Sequence, residues 1–330
     1  VVGSDSRLVI EPGATISFGP EGMIESYGDV EILGTADNPI MLVGLDEAND
    51  QWIMRVQEGG LDLDIAHTTF YNGLMITHEV DCHFQDVTFY NDKDLVWNSA
   101  AVRFWGGTLL AERCVMDWNM TGEGFLVHGL ENPIVKNSTF TGVNDAVEYL
   151  YCYDGLIDNC RFINNADDAI DLNACINTVI SNNEFYGTLD RAMEIGSETF
   201  GPSENIQVIN NLLVDCHIGV NVKEASYANI ENITIVNSKL GIQIINEEDN
   251  GMSSSATLSK AVIVDSKFPV VSDESSSITV NSLLTNENIE GSNVMITSDI
   301  QFRDSTNNDY TIISDEFPNG HSSSTIGYQR

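Results

Sequence analysis

Three acidic residues recur at one fixed spacing. Glu148, Asp171 and Glu194 stand at equal intervals, inside three versions of one short line: Asn144-Asp-Ala-Val-Glu-Tyr149, Asp167-Asp-Ala-Ile-Asp-Leu172 and Asp190-Arg-Ala-Met-Glu-Ile195. Carboxylates are hard oxygen donors, and Ca2+ takes roughly six to eight such oxygens at about 2.3–2.6 Å. Asp145, Glu148, Asp167, Asp168, Asp171 and Glu194 could supply most of them from neighbouring repeats. Acids brought that close repel unless something intervenes. Three readings stay open: a bridging cation such as Ca2+, a solvated acidic face compensated by Arg191, or protons shared between carboxyls of raised pKa.

The elements that would position these acids follow from the rest of the line. Ala146, Ala169 and Ala192 share a second column, Val147, Ile170 and Met193 a third, and Tyr149, Leu172 and Ile195 a fourth. Acidic or small residues alternating with apolar ones signal a strand. A fixed period in the twenties signals stacked repeats. If each repeat is one coil of a solenoid, equal columns lie about 4.8 Å apart. The acidic column continues as Asn221 and Gln243, and the Ala column as Gly219 and Gly241, so the negative ladder fades over two coils.

Composition narrows the partners. The 330 residues carry 50 acidic and 14 basic side chains, a formal charge of −36. Nucleic acid and anionic membrane both need a positive surface and are excluded as partners. The charge suits solubility at high salt and cation capture, and a general halophile-type surface adaptation explains it equally well. No apolar run approaches the ~20 residues of a membrane span. No signal peptide opens the chain, and an abrupt start at Val1 is what a mature or trimmed chain shows. Six cysteines do not make a disulfide scaffold at this length. Cys152 and Cys175 share a column, and the expectation is a stacked thiol pair, with a disulfide or soft-metal site as alternatives.

Along the chain, residues 1–45 read as capping coils, 46–303 as regular coils and 304–330 as a closing segment of the same domain. Thr69-Phe70, Thr88-Phe89, Thr139-Phe140, Arg161-Phe162 and Glu184-Phe185 end equivalent strands, which puts a phenylalanine column in the core. Asn137, Asn159, Asn182, Asn210 and Asn232 precede these strand ends, and buried corner asparagines bonded to one another are expected there. On that expectation the sequons at Asn137 and Asn232 are discounted for glycosylation. His67, His78, His83, His128 and His217 show no metal-ligand spacing. Trp97 and Trp105 flank one coil and could stack sugar rings, though packing in its core or at its edge is the favoured reading. There is no GxGxxG before a helix, no P-loop and no HExxH.

Pro12-Gly-Ala-Thr-Ile-Ser-Phe18 with Gly34-Thr-Ala-Asp-Asn-Pro39, then Asp168-Ala-Ile-Asp-Leu172, Glu194-Ile-Gly-Ser-Glu198 and Ile218-Gly-Val-Asn-Val-Lys-Glu-Ala-Ser226, carry a resemblance. The chain is similar to right-handed parallel β-helix proteins of the pectate-lyase-like superfamily, and most to the bacterial surface domains among them. The fold class this implies is all-β: one right-handed parallel β-helix, a solenoid of about eleven or twelve coils. Some pectate lyases hold Ca2+ with a run like Asp167-Asp168-Ala-Ile-Asp171, plus an acid from the preceding coil such as Asp145. They use a basic residue from a later coil, which here would be Lys223 or Arg191. The reading favoured is an extracellular or cell-surface, Ca2+-stabilised module without catalysis. It would recognise a glycan or cell-surface polysaccharide or support a surface structure, as part of a larger multidomain protein. The alternative is a Ca2+-dependent polysaccharide lyase acting by β-elimination on a uronate-containing glycan.

Overall fold

The computed structural model describes residues 1–19, 22–45, 52–92, 100–119, 122–246, 252–291, 293–298, 300–313 and 326–329. Long strands at Trp52–Tyr71, Gly73–Tyr90 and Val102–Glu112 give way after residue 113 to short strands separated by αL corners. Among the described residues there is no α-helix, and the one helical turn is the 3-10 turn Ser305–Asn307. Each coil contributes strands to three walls. In the middle of the chain the first wall holds Phe125–His128, Val147–Leu150, Ile170–Asn173, Arg191–Ile195 and Ile218–Lys223. The second holds Ile134–Lys136, Leu156–Asp158, Val179–Ser181 and Ile206–Ile209. The third holds Thr139–Thr141, Arg161–Ile163, Glu184–Tyr186 and Leu212–Val214.

Pairing between coils is parallel and in register. One column of the first wall runs Glu25, Arg55, Ile76, Arg103, Leu126, Glu148, Asp171, Glu194, Asn221, Gln243, Val271, eleven rungs in all. The winding is right-handed, as crossovers between parallel strands nearly always are. The expected fold is therefore observed. An antiparallel pair, Phe302–Asp304 with Asp309–Ile312, follows the solenoid. Ile326–Gln329 then returns to the third wall, where Tyr328 donates its hydroxyl to Glu184 Oε1 (3.0 Å) and Gln329 its N–H to Asn210 Oδ1 (2.7 Å).

Apolar side chains from all three walls meet in one continuous core. Phe140, Phe162 and Phe185 stack within it, 5.3 and 4.8 Å between centroids and 8° and 10° between planes. At the corners the structure corrects the sequence reading. Asn137, Asn159 and Asn182 are exposed rather than buried. Each has a positive φ, in the left-handed region that asparagine tolerates. They still bond along the axis: Asn159 Nδ2 donates to Asn137 Oδ1 (2.7 Å) and Asn210 Nδ2 to Asn182 Oδ1 (2.7 Å). The left-handed turn aims these amides outward, and the following residues, Ser138, Cys160 and Asn183, go inward instead. Burial is thus no reason to discount the sequon at Asn137. All six cysteines are buried and unbridged, Cys152 and Cys175 included.

Candidate functional site

The strands Val147–Leu150, Ile170–Asn173 and Arg191–Ile195 bury Val147, Ile170 and Met193 inside, so the residues that follow them point outward. Glu148, Asp171 and Glu194 are thereby placed one above another, in register. A second acidic column runs beside them. Gly124 N–H donates to Asp145 O, Ala146 N–H to Asp168 O and Ala169 N–H to Arg191 O, which stacks Glu123, Asp145, Asp168 and Arg191 in successive coils. Further out, Asp167 and Asp190 precede that column and lead to His217 and Lys239.

Two carboxylate triads result, and Asp168 belongs to both. In Asp145–Asp167–Asp168, and again in Asp168–Asp171–Glu194, one oxygen from each residue lies within 4.8 Å of the others. Glu148 falls outside these triads but adjoins them through an amide. Asn173 Nδ2 donates to Glu148 Oε1 (3.2 Å) and to Asp171 Oδ2 (2.6 Å). Asp168 is 5% exposed, and its Oδ1 accepts no hydrogen bond. Asp171 as a whole residue is half-buried, yet its Oδ1 is shut off from solvent and also accepts none. A buried acceptor without a donor is costly unless it is protonated or meets a cation.

Electrostatics agree with that geometry. Burial pushes the Asp145 carboxyl up to about 7, against the pull of the Asp168 N–H, with Asp167, Glu123 and Glu194 adding repulsion. Burial also takes Glu148 to about 7, helped by Asp145 and Glu123. Asp168 and Asp171 are held well above the carboxylate range, first by burial and then by Glu194. Asp167 is raised by burial and by Asp190.

The two basic candidates converge on one acid. Arg191 Nε lies 2.7 Å from Glu194 Oε2, and its guanidinium reaches Asp190 Oδ2 at 2.9 Å and Asp168 Oδ1 at 3.7 Å. Lys223 Nζ lies 2.6 Å from Glu194 Oε1, with only 10% of its side chain exposed. Both oxygens of Glu194 are thus matched by cationic side chains, while Asp168 meets the same guanidinium only at the longer distance. All donors here are carboxylate oxygens, the set that suits Ca2+ or Mg2+ over softer metals. His217 joins none of this set; its Nδ1 faces Asp190 Oδ1 at 3.4 Å and its Nε2 faces Lys239 Nζ at 3.0 Å.

Trp105 stands two coils before the coil that holds Glu148. It is exposed, lies between His78 (6.0 Å) and His128 (4.7 Å), and borders a cavity of about 430 Å³ with Glu79 and Gly129. Trp97 lies outside the described residues. A cavity of about 590 Å³ sits on the third wall beside Tyr328, Arg161, Asp158 and Glu184, away from the acidic ladder. Among the described residues the carboxylate triads lie on the ladder and none lines this cavity, so the acidic ladder is the stronger candidate. Residues absent from the sequence reading are Asn173 and Glu123. Their positions in the repeat columns beside the acids were the signal for both.

Comparison with known proteins agrees on architecture. Residues 72–217 match the family model described as a right handed beta helix region. A PL6 family alginate lyase, AlyGC, superposes with a TM-score of 0.50 at 14% identity, over 98% of this chain and 57% of its own. The periplasmic alginate epimerase AlgG, in a double-mutant form, superposes with a TM-score of 0.52 at 11% identity, over 84% of this chain and 79% of its own. At these identities the likeness shows the fold. This chain spans little more than half the length of the lyase. No curated protein matches the sequence. No helix among the described residues is long and apolar enough to cross a membrane.

Proposed function

We propose that this chain is an extracellular polysaccharide-recognition module whose first wall is organised by a Ca2+ ion, and that it works without catalysis. Asp145, Asp167, Asp168, Asp171 and Glu194 form the cation site, with Asp168 at its centre and Glu148 adjoining it through Asn173. One observation carries this: two carboxylate triads share Asp168, and the closed-off oxygens Asp168 Oδ1 and Asp171 Oδ1 accept no hydrogen bond. A bound divalent ion would give both oxygens a close partner, where Asp168 Oδ1 otherwise has only the Arg191 guanidinium at 3.7 Å. The alginate lyase and epimerase of similar fold are named for a polysaccharide, which agrees with the glycan part.

The rival reading is a lyase. In it, Lys223 or Arg191 removes the proton beside a uronate carboxylate, and the β-substituent then leaves. Ca2+ bound at the ladder would acidify that proton. A base must be neutral, however, and both candidates are ion-paired to Glu194, where the protonated form is the one that gains. Incubation with alginate and polygalacturonate decides between the readings. A module gives no unsaturated product absorbing in the ultraviolet and binds Ca2+ in calorimetry, with binding lost in Asp168→Asn. A product lost in Lys223→Ala would establish the lyase instead.

A further inference from the structure

Beside the acidic ladder runs a second file of side chains, made of rings. It begins with His78, Trp105 and His128 and continues to Tyr151 and Phe200, with centroids 6.0, 4.7, 5.6 and 6.0 Å apart. Its last two members arrive by different routes. Tyr151 follows Leu150, the residue of the first wall that pairs with Asn173. Phe200 comes from extra chain. The step from Glu194 to Asn221 is longer than the steps from Glu148 to Asp171 and from Asp171 to Glu194. The surplus forms a small hairpin in which Ser197 and Gly201 bridge antiparallel, and Ser197 Oγ accepts from the N–H groups of Thr199 (3.2 Å) and Phe200 (3.3 Å). This hairpin carries Phe200 back to meet Tyr151, two coils earlier.

The geometry of these rings differs from that of the core. Phe140, Phe162 and Phe185 cover one another's faces at 8° and 10° and are 1% exposed or less. His128–Tyr151 and Tyr151–Phe200 meet edge to face, at 84° and 85°, and Tyr151 and Phe200 are each 39% exposed. An edge-to-face pair covers at most one face of one of its rings, and the exposure of Tyr151 and Phe200 leaves ring surface open to solvent. An uncovered aromatic face beside polar groups is what the C–H face of a pyranose packs against, with Tyr adding a hydroxyl for the sugar's own.

We infer that Tyr151 and Phe200 form a stacking rim for a pyranose ring of an uncharged glycan chain running past the acidic ladder. This deepens the recognition role proposed above and rests on it. Charge selects the class: no Lys or Arg stands in the ring file, and the whole chain carries −36. An anionic sugar chain would approach this rim against repulsion.

The test is calorimetry of the full chain in Ca2+ with a β-1,4-glucan hexaose, a β-1,4-mannan hexaose and a polygalacturonate hexaose. The expected result is binding of at least one uncharged hexaose, weakened about tenfold in Phe200→Ala and in Tyr151→Ala. Phe200→Tyr keeps the affinity because it keeps the ring. Ca2+ binding, measured in the same samples, stays at its wild-type value and shows that the variants are folded. Equal hexaose affinity in wild type and Phe200→Ala overturns the rim and leaves glycan recognition standing. Binding of the uronate hexaose alone overturns the choice of ligand. No binding of any hexaose by the wild type overturns the rim and the recognition role together.

Discussion

Two columns, one in the core and one on the outer face of the first wall, show what the same repeat does with different side chains. Inside, Phe140, Phe162 and Phe185 are stacked by the coil spacing, and each copy improves the contacts of the next. Outside, the same spacing stacks Glu148, Asp171 and Glu194, and each copy raises the cost of the next. The solenoid cannot relax the outer column, because register is fixed by the backbone pairing that the core stabilises. Compensation must come from the side: Asn173 for Glu148 and Asp171, Arg191 and Lys223 for Glu194. Asp168, with a more distant guanidinium, receives least. The ladder then fades to Asn221 and Gln243, so charge is concentrated in three coils rather than spread over the wall.

The largest effect should come from the inner column. Phe162→Ala removes a buried ring between two others and is expected to destabilise by about 3–5 kcal/mol, read from denaturant unfolding. Ca2+ comes next. At about a hundred times its dissociation constant it should raise stability by about 2.7 kcal/mol, seen as a higher melting temperature that chelator abolishes.

Asp171→Asn sharpens the contrast by its sign. An amide there removes like-charge repulsion, so in chelator at pH 7.5 the variant should be more stable than wild type by about 1 kcal/mol, while its Ca2+ response is lost. A cation-free destabilisation would mean that the ladder is already neutralised. The pH dependence follows from the same acids. Asp145 and Glu148 rise from ordinary values of 3.8 and 4.5 to about 7, so the folded chain binds more protons than the unfolded one between those limits. The contribution of these two acids to stability is then full below about pH 4 and is lost as pH rises towards 7. Melting temperature in chelator should be higher at pH 5 than at pH 7.5, and Ca2+ should narrow the gap. Gln243→Ala, beyond the end of the ladder, should change stability by less than about 0.5 kcal/mol.

Much of this was legible from the chain alone. The constant period fixes register, and register places Glu148, Asp171 and Glu194 over one another wherever the walls form. The phenylalanine column was legible for the same reason. Asn137 and its equivalents were misplaced because periodicity gives the column but not the left-handed turn, which sends the amide out and its neighbour in. Phe200 was missed because it leaves the period altogether, and only a hairpin brings it to Tyr151. The pairing of Arg191 and Lys223 on the two oxygens of Glu194 needed side-chain geometry, since the sequence shows both near the acids without showing which acid they share.

The decisive measurement is a crystal of this chain grown or soaked in Ca2+. One ion is expected at about 2.3–2.6 Å from the Asp168 carboxylate, sharing oxygens from Asp145 and Asp167 or from Asp171 and Glu194. A map in which the Asp168 carboxylate meets only water or Arg191, at Ca2+ concentrations of several millimolar, would contradict it.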